Sequence, residues 1–528
     1  MSDIFDVIIV GSGPAGVSTA FPLVQAGLKV LMVDGGREAD LAPPSRSYLY
    51  ERYENEEQWK WMVGENFNAL REFDAVSPKL RAPTHNYVFD GFVENANLEA
   101  RNFIAVGSLA KGGLSNSWGC GVARLSPREL ADYPFSDRDI VGSYEEVSRR
   151  IGISGAEDDD LANYFGIDSW VQPPIEMDLM HKRMFSRYES NKTYLRKLDF
   201  RMGRSRVAVL SQSGSRRQAC DLSSNCLWGC HRKALYSSAD EIASLQHYNN
   251  FYYRSGFIVN HIIKNNNGIA VSGQDTKEST TLTAKKIILA AGTLATTRLA
   301  LKALNIDSPV RLQSSPTAAF LLWLPKFLGQ QNMNGFGLGQ LSYSLKLSDE
   351  ISAFGSTFST TGLPVSEFVR HVPFSKRFGI DVLSQLLSSC LVGNVFLPGN
   401  LSTSDILLKS DGKLKITGGY HSSVPSLMSD ISRRLSKSYR KLGAFLLPKS
   451  FVQGIPGADI HYSSTLPMSR NPLLGQTGVD GELAGMMGVH VADGACLTNL
   501  TEKSHTLTIM ANADRIGKIL ATKLTEKL

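Results

Sequence analysis

The chain opens on an apolar run. Residues Asp6 to Gly11, DVIIVG, carry β-branched and aliphatic side chains at consecutive positions, the pattern of a strand covered on both faces in a parallel sheet. A helical pattern follows from Pro14, a residue suited to a first turn, and Gly27 stops it. GLKVLMVDGG then gives a second apolar strand, Val30 to Val33, closed by Asp34. The same alternation returns far along the chain. KIILAAGT reads as a buried strand ending at Gly292, and TLATTRLALKAL as the helix after it. Near the end, the short strand VHVAD stops at Asp493 and Gly494, and LTIMANADRIGKIL continues a helix that begins near His505. Strands that alternate with helices predict an α/β domain built on a parallel sheet.

Composition narrows the class. The 528 residues are 42% hydrophobic, enough for a large core and, by length, for more than one domain. The net charge is +6 and is not gathered at a terminus. That balance gives no sign of a nucleic-acid partner, and no aromatic and basic platform for single strands is apparent. Six cysteines in so long a chain do not suggest a disulfide framework, so a reducing, cytoplasmic setting is expected. The start, MSDIFDVIIVG, lacks a basic segment followed by a long apolar run and a small-residue cleavage site, and no secretory signal is expected. No run approaches the roughly 20 apolar residues that span a bilayer.

The opening glycines carry the first chemistry. Gly11, Gly13 and Gly16 have the spacing G-x-G-x-x-G between strand and helix. In that setting Gly11 permits the tight turn, Gly13 lets backbone approach a pyrophosphate, and Gly16 lets the helix pack on the sheet. Pro14 and Ala15 stand in the first turn, at the positive end of the helix dipole, which suits an anion. Asp34 lies 23 residues after Gly11, an offset at which a carboxylate suits the hydroxyls of an adenosine ribose. An acid there disfavours a ribose 2′-phosphate, so NADP is set aside while FAD and NAD stay open. A second glycine-rich loop, GSLAKGGLSNSWGCG, holds Gly112, Gly113, Ser115 and Asn116 and could wrap N–H groups around a phosphate or a planar ring. Thr506 stands at the start of the last helix, again an anion or carbonyl site.

Taken in order, these segments resemble the glucose–methanol–choline (GMC) family of FAD oxidoreductases. The likeness runs from the first glycines through GGLSNSWG and ILAAGTLATTRLAL to TLTIMANADRI, and about 305–450 matches no motif. The resemblance implies FAD rather than NAD. It implies contacts from Gly11, Gly13, Gly16 and Asp34, from Gly113, Ser115 and Asn116 near the isoalloxazine or pyrophosphate, and from Gly292, Asp493 and Gly494. Some members attach the flavin through a histidine just before the Trp of the loop. Here Ser117 precedes Trp118, so non-covalent FAD is expected. The implied architecture is α/β, α+β overall: a Rossmann-like FAD-binding domain, discontinuous in sequence (1–45, 95–135, 200–305 and 455–528), and a mostly antiparallel-sheet substrate domain (136–199 and 306–454). Residues 46–94 could form a lid.

Oxidising an alcohol moves a hydride to flavin N5 and a proton off the hydroxyl. A base that titrates near neutrality suits the proton, which favours histidine. His461, in ADIHYSSTLPMSR, resembles the family's HxxGTxxM segment, with Thr465 and Met468 in register, and is the candidate base. The family's second residue is His or Asn at the start of the last helix, within NPTLTIMA. Here the stretch is SHTLTIMA, and strict register sets Ser504 against the Asn and His505 against the Pro. Either His505 takes the role with a one-residue shift and holds the substrate oxygen, or Ser504 supplies a hydroxyl. Ser504 also suits a helix cap.

The expected activity is an FAD-dependent oxidation of the CH–OH group of a small alcohol or sugar, or of a glycan- or lipid-linked alcohol, with an electron acceptor that the sequence does not identify. Two rivals stay open: an NAD(P)H-using flavoprotein reductase, and an inactive flavin-binding interaction protein. No metal is expected, because Cys220, Cys226 and Cys230 stand as C-x5-C-x3-C without a C-x2-C pair. SLMSDISRRLSKSYRKLGAFLLPKS alternates apolar and basic residues at helical spacing, which would allow a peripheral membrane contact or a solvated helix face. AAFLLWLPKFL and DVLSQLLSSCLVGNVFL could line an apolar substrate pocket or be ordinary core.

Overall fold

The computed structural model describes residues 4–51, 54–67, 69, 77–265, 268–274, 279–331, 333–363, 368 and 375–526. Strand β1 (Phe5–Val10) lies inside a seven-stranded sheet, and Val7, Ile8 and Ile9 are fully buried there, as the unbroken apolar run requires. Its neighbours β2 (Val30–Val33) and β6 (Ser279–Leu289) run parallel to it. Outside them, β3 (Phe251–Arg254) and the short strand Val489–Val491 are parallel too. Strands β4 (Ile258–Asn265) and β5 (Gly268–Gln274) extend the first half of β6 as an antiparallel meander. The register aligns Val33, Val10, Leu289 and Val491 in one row at the carboxyl edge of the sheet. The residues that the sequence singles out follow within three positions: Asp34, Gly11, Gly292 and Asp493.

Helices α1 (Pro14–Gln25) and α4 (Thr293–Leu304) leave that edge, and α7 (Thr506–Thr525) packs along α1. A second sheet is antiparallel. It contains β7 (Thr317–Trp323), β8 (Leu341–Lys346), β9 (Ser352–Ser359) and β10 (Cys390–Phe396). Helices α3 (Leu179–Arg196) and α6 (Val424–Leu442) contribute to the core on one of its faces, where Tyr439 packs on Phe320 and Tyr343. A third, five-stranded sheet joins the two regions and includes Tyr462–Ser463, next to His461.

Several expected boundaries shift. Residues 136–199, assigned to the substrate side, divide: α2 (Asp137–Ile151) buries Ile140, Tyr144 and Val147 in the parallel-sheet core against α7, while α3 covers the antiparallel sheet. Phe200–Arg204, assigned to the FAD domain, pairs with β8. The apolar face of α6 (Met428, Ile431, Leu435) is buried in the core, so only its basic face is turned outward. In the stretch assigned as a lid, Tyr48 and Trp61 pack on Trp228; residues 52–53, 68 and 70–76 of it lie outside the described residues. Among the described residues no helix is long and apolar enough to cross a membrane.

The sheet edge and α1 meet at glycine. Gly11 has φ 104°, and a Cβ on it would lie 2.3 Å from the Ala290 carbonyl oxygen; a Cβ on Gly16 would lie 2.0 Å from the Gly11 carbonyl oxygen. Backbone cannot yield as a flexible side chain would. Gly16→Ala is therefore expected to cost about 1–3 kcal/mol, read as a lowered midpoint of thermal unfolding. An unchanged midpoint would contradict this packing.

Candidate active site

A cavity of about 1580 Å³ runs from the carboxyl edge of the parallel sheet to the antiparallel sheet. Small-molecule sites are typically roughly 300–1,000 Å³, so this one has room for a large cofactor and a substrate together. Gly11, Gly13, Pro14, Ala15 and Asp34 line one end. Gly113 and Ser115 of the second loop also face it, as do Gly292, Asp493, Gly494 and Thr506. The sequence-predicted residues are thus brought together from six separate stretches of the chain. Two stand apart from the wall. Gly16 lies behind it, packed on Gly11. The Asn116 amide donates to the carbonyls of Lys111 and Gly113, 2.9 Å each, and its oxygen accepts from the Ser237 hydroxyl at 2.7 Å, so this side chain braces the loop.

The dinucleotide end is built mostly from backbone. The N-caps of α1, α4 and α7 are Gly13, Gly292 and His505, and none has a side-chain cap. All three helix starts line the cavity, so their first N–H groups and positive dipole ends are directed at it. Ser504 does not cap α7. A Cβ on Gly13 would meet nothing within 4 Å, and the Cβ position of Gly113 lies 3.4 Å from the Gly13 Cα. Two glycine backbones therefore border open space, a cradle that fits the pyrophosphate of a dinucleotide.

The carboxylates here are already engaged. Asp34 accepts from the Ser12 hydroxyl and backbone N–H, from the Gly36 N–H at 2.6 Å and from the Tyr253 hydroxyl at 2.9 Å. Burial pushes its pKa up, against the pull of those donors. A ribose hydroxyl bonding to Asp34 would exchange with one of these partners. Asp493 accepts from the Gly292 N–H at 2.8 Å, the Thr296 hydroxyl at 2.5 Å and the Ala495 N–H at 3.0 Å, and burial raises its pKa to about 6. It ties the start of α4 to the end of Val489–Val491.

Further along the wall stand His461, Ser504 and His505. The two imidazole rings lie 5.0 Å apart, centroid to centroid, and nearly perpendicular at 87°. Burial and the neighbouring His461 hold the His505 pKa down at about 3, and its Nδ1 is buried with no hydrogen-bond partner among the described residues. The His461 Nδ1 lies 3.1 Å from the Asp459 Oδ2. That is ion-pair distance, without the alignment of a hydrogen bond. Sequence reasoning missed Asp459, although it stands two positions before His461. It also missed Lys79, a half-buried cavity-wall cation whose ammonium donates to the Trp118 carbonyl and whose pKa desolvation lowers. His85 was missed as well; its Nδ1 is 3.2 Å from the Ser117 hydroxyl. Neither has a spacing relative to a motif that would reveal it. Among the described residues no three His, Cys, Asp or Glu side chains are grouped to hold a metal.

Known proteins can now be set beside this geometry. A profile of the pyridine nucleotide-disulphide oxidoreductase family matches residues 5–85. A 2-methyl-1,2-propanediol dehydrogenase of Mycolicibacterium austroafricanum is 35% identical over 71 residues, which is 13% of this chain and 12% of that protein. The pyridoxine 4-oxidase of Mesorbium loti superposes with a TM-score of 0.59 at 13% identity over 99% of both chains. A formate oxidase of Aspergillus oryzae RIB40, solved to follow the effect of a mutation on FAD modification, superposes with a TM-score of 0.64 at 13% identity over 100% of both.

The chain has the fold of these two oxidases. That fold contains both expected parts, the parallel dinucleotide-binding sheet and the antiparallel sheet, and the GMC-like motifs of the sequence fall on its cavity wall. The two glycines of the opening motif can be separated by experiment. Gly13 has φ −64°, open to any residue, and free space beyond. Gly13→Ala should leave the unfolding midpoint of the cofactor-free protein unchanged and weaken FAD binding by about 1–3 kcal/mol, measured by flavin fluorescence titration.

Proposed function

We propose that this chain is a GMC-type FAD-dependent oxidoreductase that oxidises a CH–OH group. The observation that carries the reading is the pair of imidazoles, 5.0 Å apart, in the wall of the same cavity whose other end is the glycine and helix-terminus grip. Gly11, Gly13, Asp34, Gly113, Gly292, Gly494 and Thr506 would hold FAD, which when bound supplies the acceptor for a hydride. The chain's own residues handle the proton. Asp459 beside Nδ1 favours the tautomer that keeps a proton there, leaving the His461 Nε2 free to take the hydroxyl proton. As the ring becomes an imidazolium, the Asp459 carboxylate stabilises the new charge. Asp459 is thus a positioning residue. His505 stays neutral across the working pH range and holds the substrate oxygen, with the Ser504 hydroxyl beside it in the wall.

Anaerobic bleaching of the flavin by an alcohol, without NAD(P)H, tests the reading and separates it from a reductase. His461→Ala should slow that bleaching by about 10²–10⁴-fold; full-rate reduction would remove His461 from the role. The pH profile adds a second readout. A base must be unprotonated, so the rate falls on the acid side. Asp459→Asn removes the negative charge beside the forming imidazolium and should slow the bleaching about tenfold or more. His505→Asn should lower the rate without changing the shape of the profile, since the ring gains its proton only near pH 3. FAD should appear in the supernatant when the protein is precipitated with acid; flavin retained on the polypeptide would overturn non-covalent binding.

A further inference from the structure

We infer that the half of the cavity beyond the histidines is a channel for the hydrocarbon body of a bulky apolar alcohol, and that it rejects sugars; this names a substrate class for the reaction proposed above and rests on that reading. The channel starts at His461, whose ring lies 5.1 Å from that of Phe396 at the end of β10. Burial alternates along β7, β9 and β10, and the half-buried face of each turns toward the cavity. That face presents Val392 from β10, Phe358 from β9 and Leu321 from β7. Leu383 of α5 (Lys376–Leu386) and Leu387 just after it also line the cavity, in an apolar cluster with Phe368 and Cys390. Val392 stands four positions before Phe396 on the strand, a reach on the order of 13 Å.

The serine hydroxyls of this half bond one another. The Ser342 hydroxyl is within hydrogen-bonding distance of Ser205 at 2.8 Å and of Ser356 at 2.9 Å, and the Asn394 side-chain amide oxygen Oδ1 accepts from the Ser356 N–H at 2.7 Å. Charge is scarce. Arg206 donates to Asp159 at 2.6 Å, and Lys449 is exposed where Pro448 and Val452 form the rim. A sugar hydroxyl placed against Leu321, Phe358 and Val392 meets hydrocarbon and stays unsatisfied. A methylene moved from water to the same wall tightens binding about fourfold.

The test uses the flavin-loaded protein with butan-1-ol, hexan-1-ol, octan-1-ol, decan-1-ol and glucose. The apparent Kd for flavin bleaching should fall about fourfold per methylene along the alcohol series, with glucose far weaker than decan-1-ol. A flat series, or glucose acting as well as decan-1-ol, overturns the channel. Leu321→Trp should fill it and cut the preference for decan-1-ol over butan-1-ol about tenfold or more. If that variant does not fold, Val392→Phe makes the same test from the neighbouring strand. An unchanged preference in a folded variant overturns the assignment of that wall. A binding arm is independent of chemistry: decanamide should raise the unfolding temperature of the wild type and acetamide should not. If no alcohol bleaches the flavin while decanamide still stabilises the protein, the oxidation reading fails and the apolar channel stands. If decanamide does nothing, the channel itself fails.

Discussion

Three stretches of main chain meet at the carboxyl edge of the parallel sheet with no room for a side chain between them. Gly16 sits on the carbonyl of Gly11, and Gly11 sits on the carbonyl of Ala290. This contact sets how closely α1 approaches the junction of β1 and β6. Main-chain hydrogen bonds then step across the edge. The Gly11 N–H donates to the Val33 carbonyl at 2.8 Å, the Ala290 N–H to Val10 at 2.9 Å, and the Ala492 N–H to Leu289 at 2.9 Å. Each step joins segments far apart in sequence. Asp34, Gly11, Gly292 and Asp493 are brought to one rim because the strands before them end in the same row. A ligand crevice at the carboxyl ends of parallel strands follows from that alignment.

The chemistry of the rim follows from which groups are left over. Asp34 and Asp493 are both saturated with internal donors, and burial disfavours their charge. The free groups are N–H donors at the starts of α1, α4 and α7. An anionic group is therefore met by backbone dipoles rather than by a cluster of cations. Further along the wall the balance changes to imidazole, and beyond it to hydrocarbon. One cavity thus carries three environments in sequence, each set by a different supply of unpaired groups.

The unbroken apolar strands were legible because a strand buried on both faces leaves no ambiguity of register. The opening glycines were legible as a set, although their roles divide: Gly11 and Gly16 are required by the packing, and Gly13 borders empty space. Asn116 looked like a ligand contact, yet nothing in its spacing distinguishes a side chain that faces a ligand from one that staples its own loop. The shift between Ser504 and His505 stays degenerate in sequence, and the structure sets both on the wall. The boundary through 136–199 was out of reach because an amphipathic helix such as α2 carries no mark of which sheet it covers. β7 and β10 alternate in burial whether their second face meets core or cavity, so channel wall and ordinary core read alike.

The backbone around His461 shows how its imidazole is held. Ile460 has φ 63° and Ser464 φ 67°, a region that a β-branched residue enters only under constraint. Ser464 stands where the resembled HxxGT pattern has glycine, the residue that enters this region most readily because it lacks a Cβ. Each such residue costs on the order of 1–3 kcal/mol. The surroundings offset this from several sides. The Ser464 N–H donates to the Gly494 carbonyl at 2.9 Å, the Ser315 N–H to the His461 carbonyl at 3.1 Å, and Thr465 meets Thr297 of α4 at 2.6 Å. These bonds tie the histidine segment to α4 and to the Asp493 loop, the same elements that form the dinucleotide rim. The strain and the ties together fix the imidazole relative to the rim, and the proposed transfer of hydride and proton within one cavity would require that fixed relation.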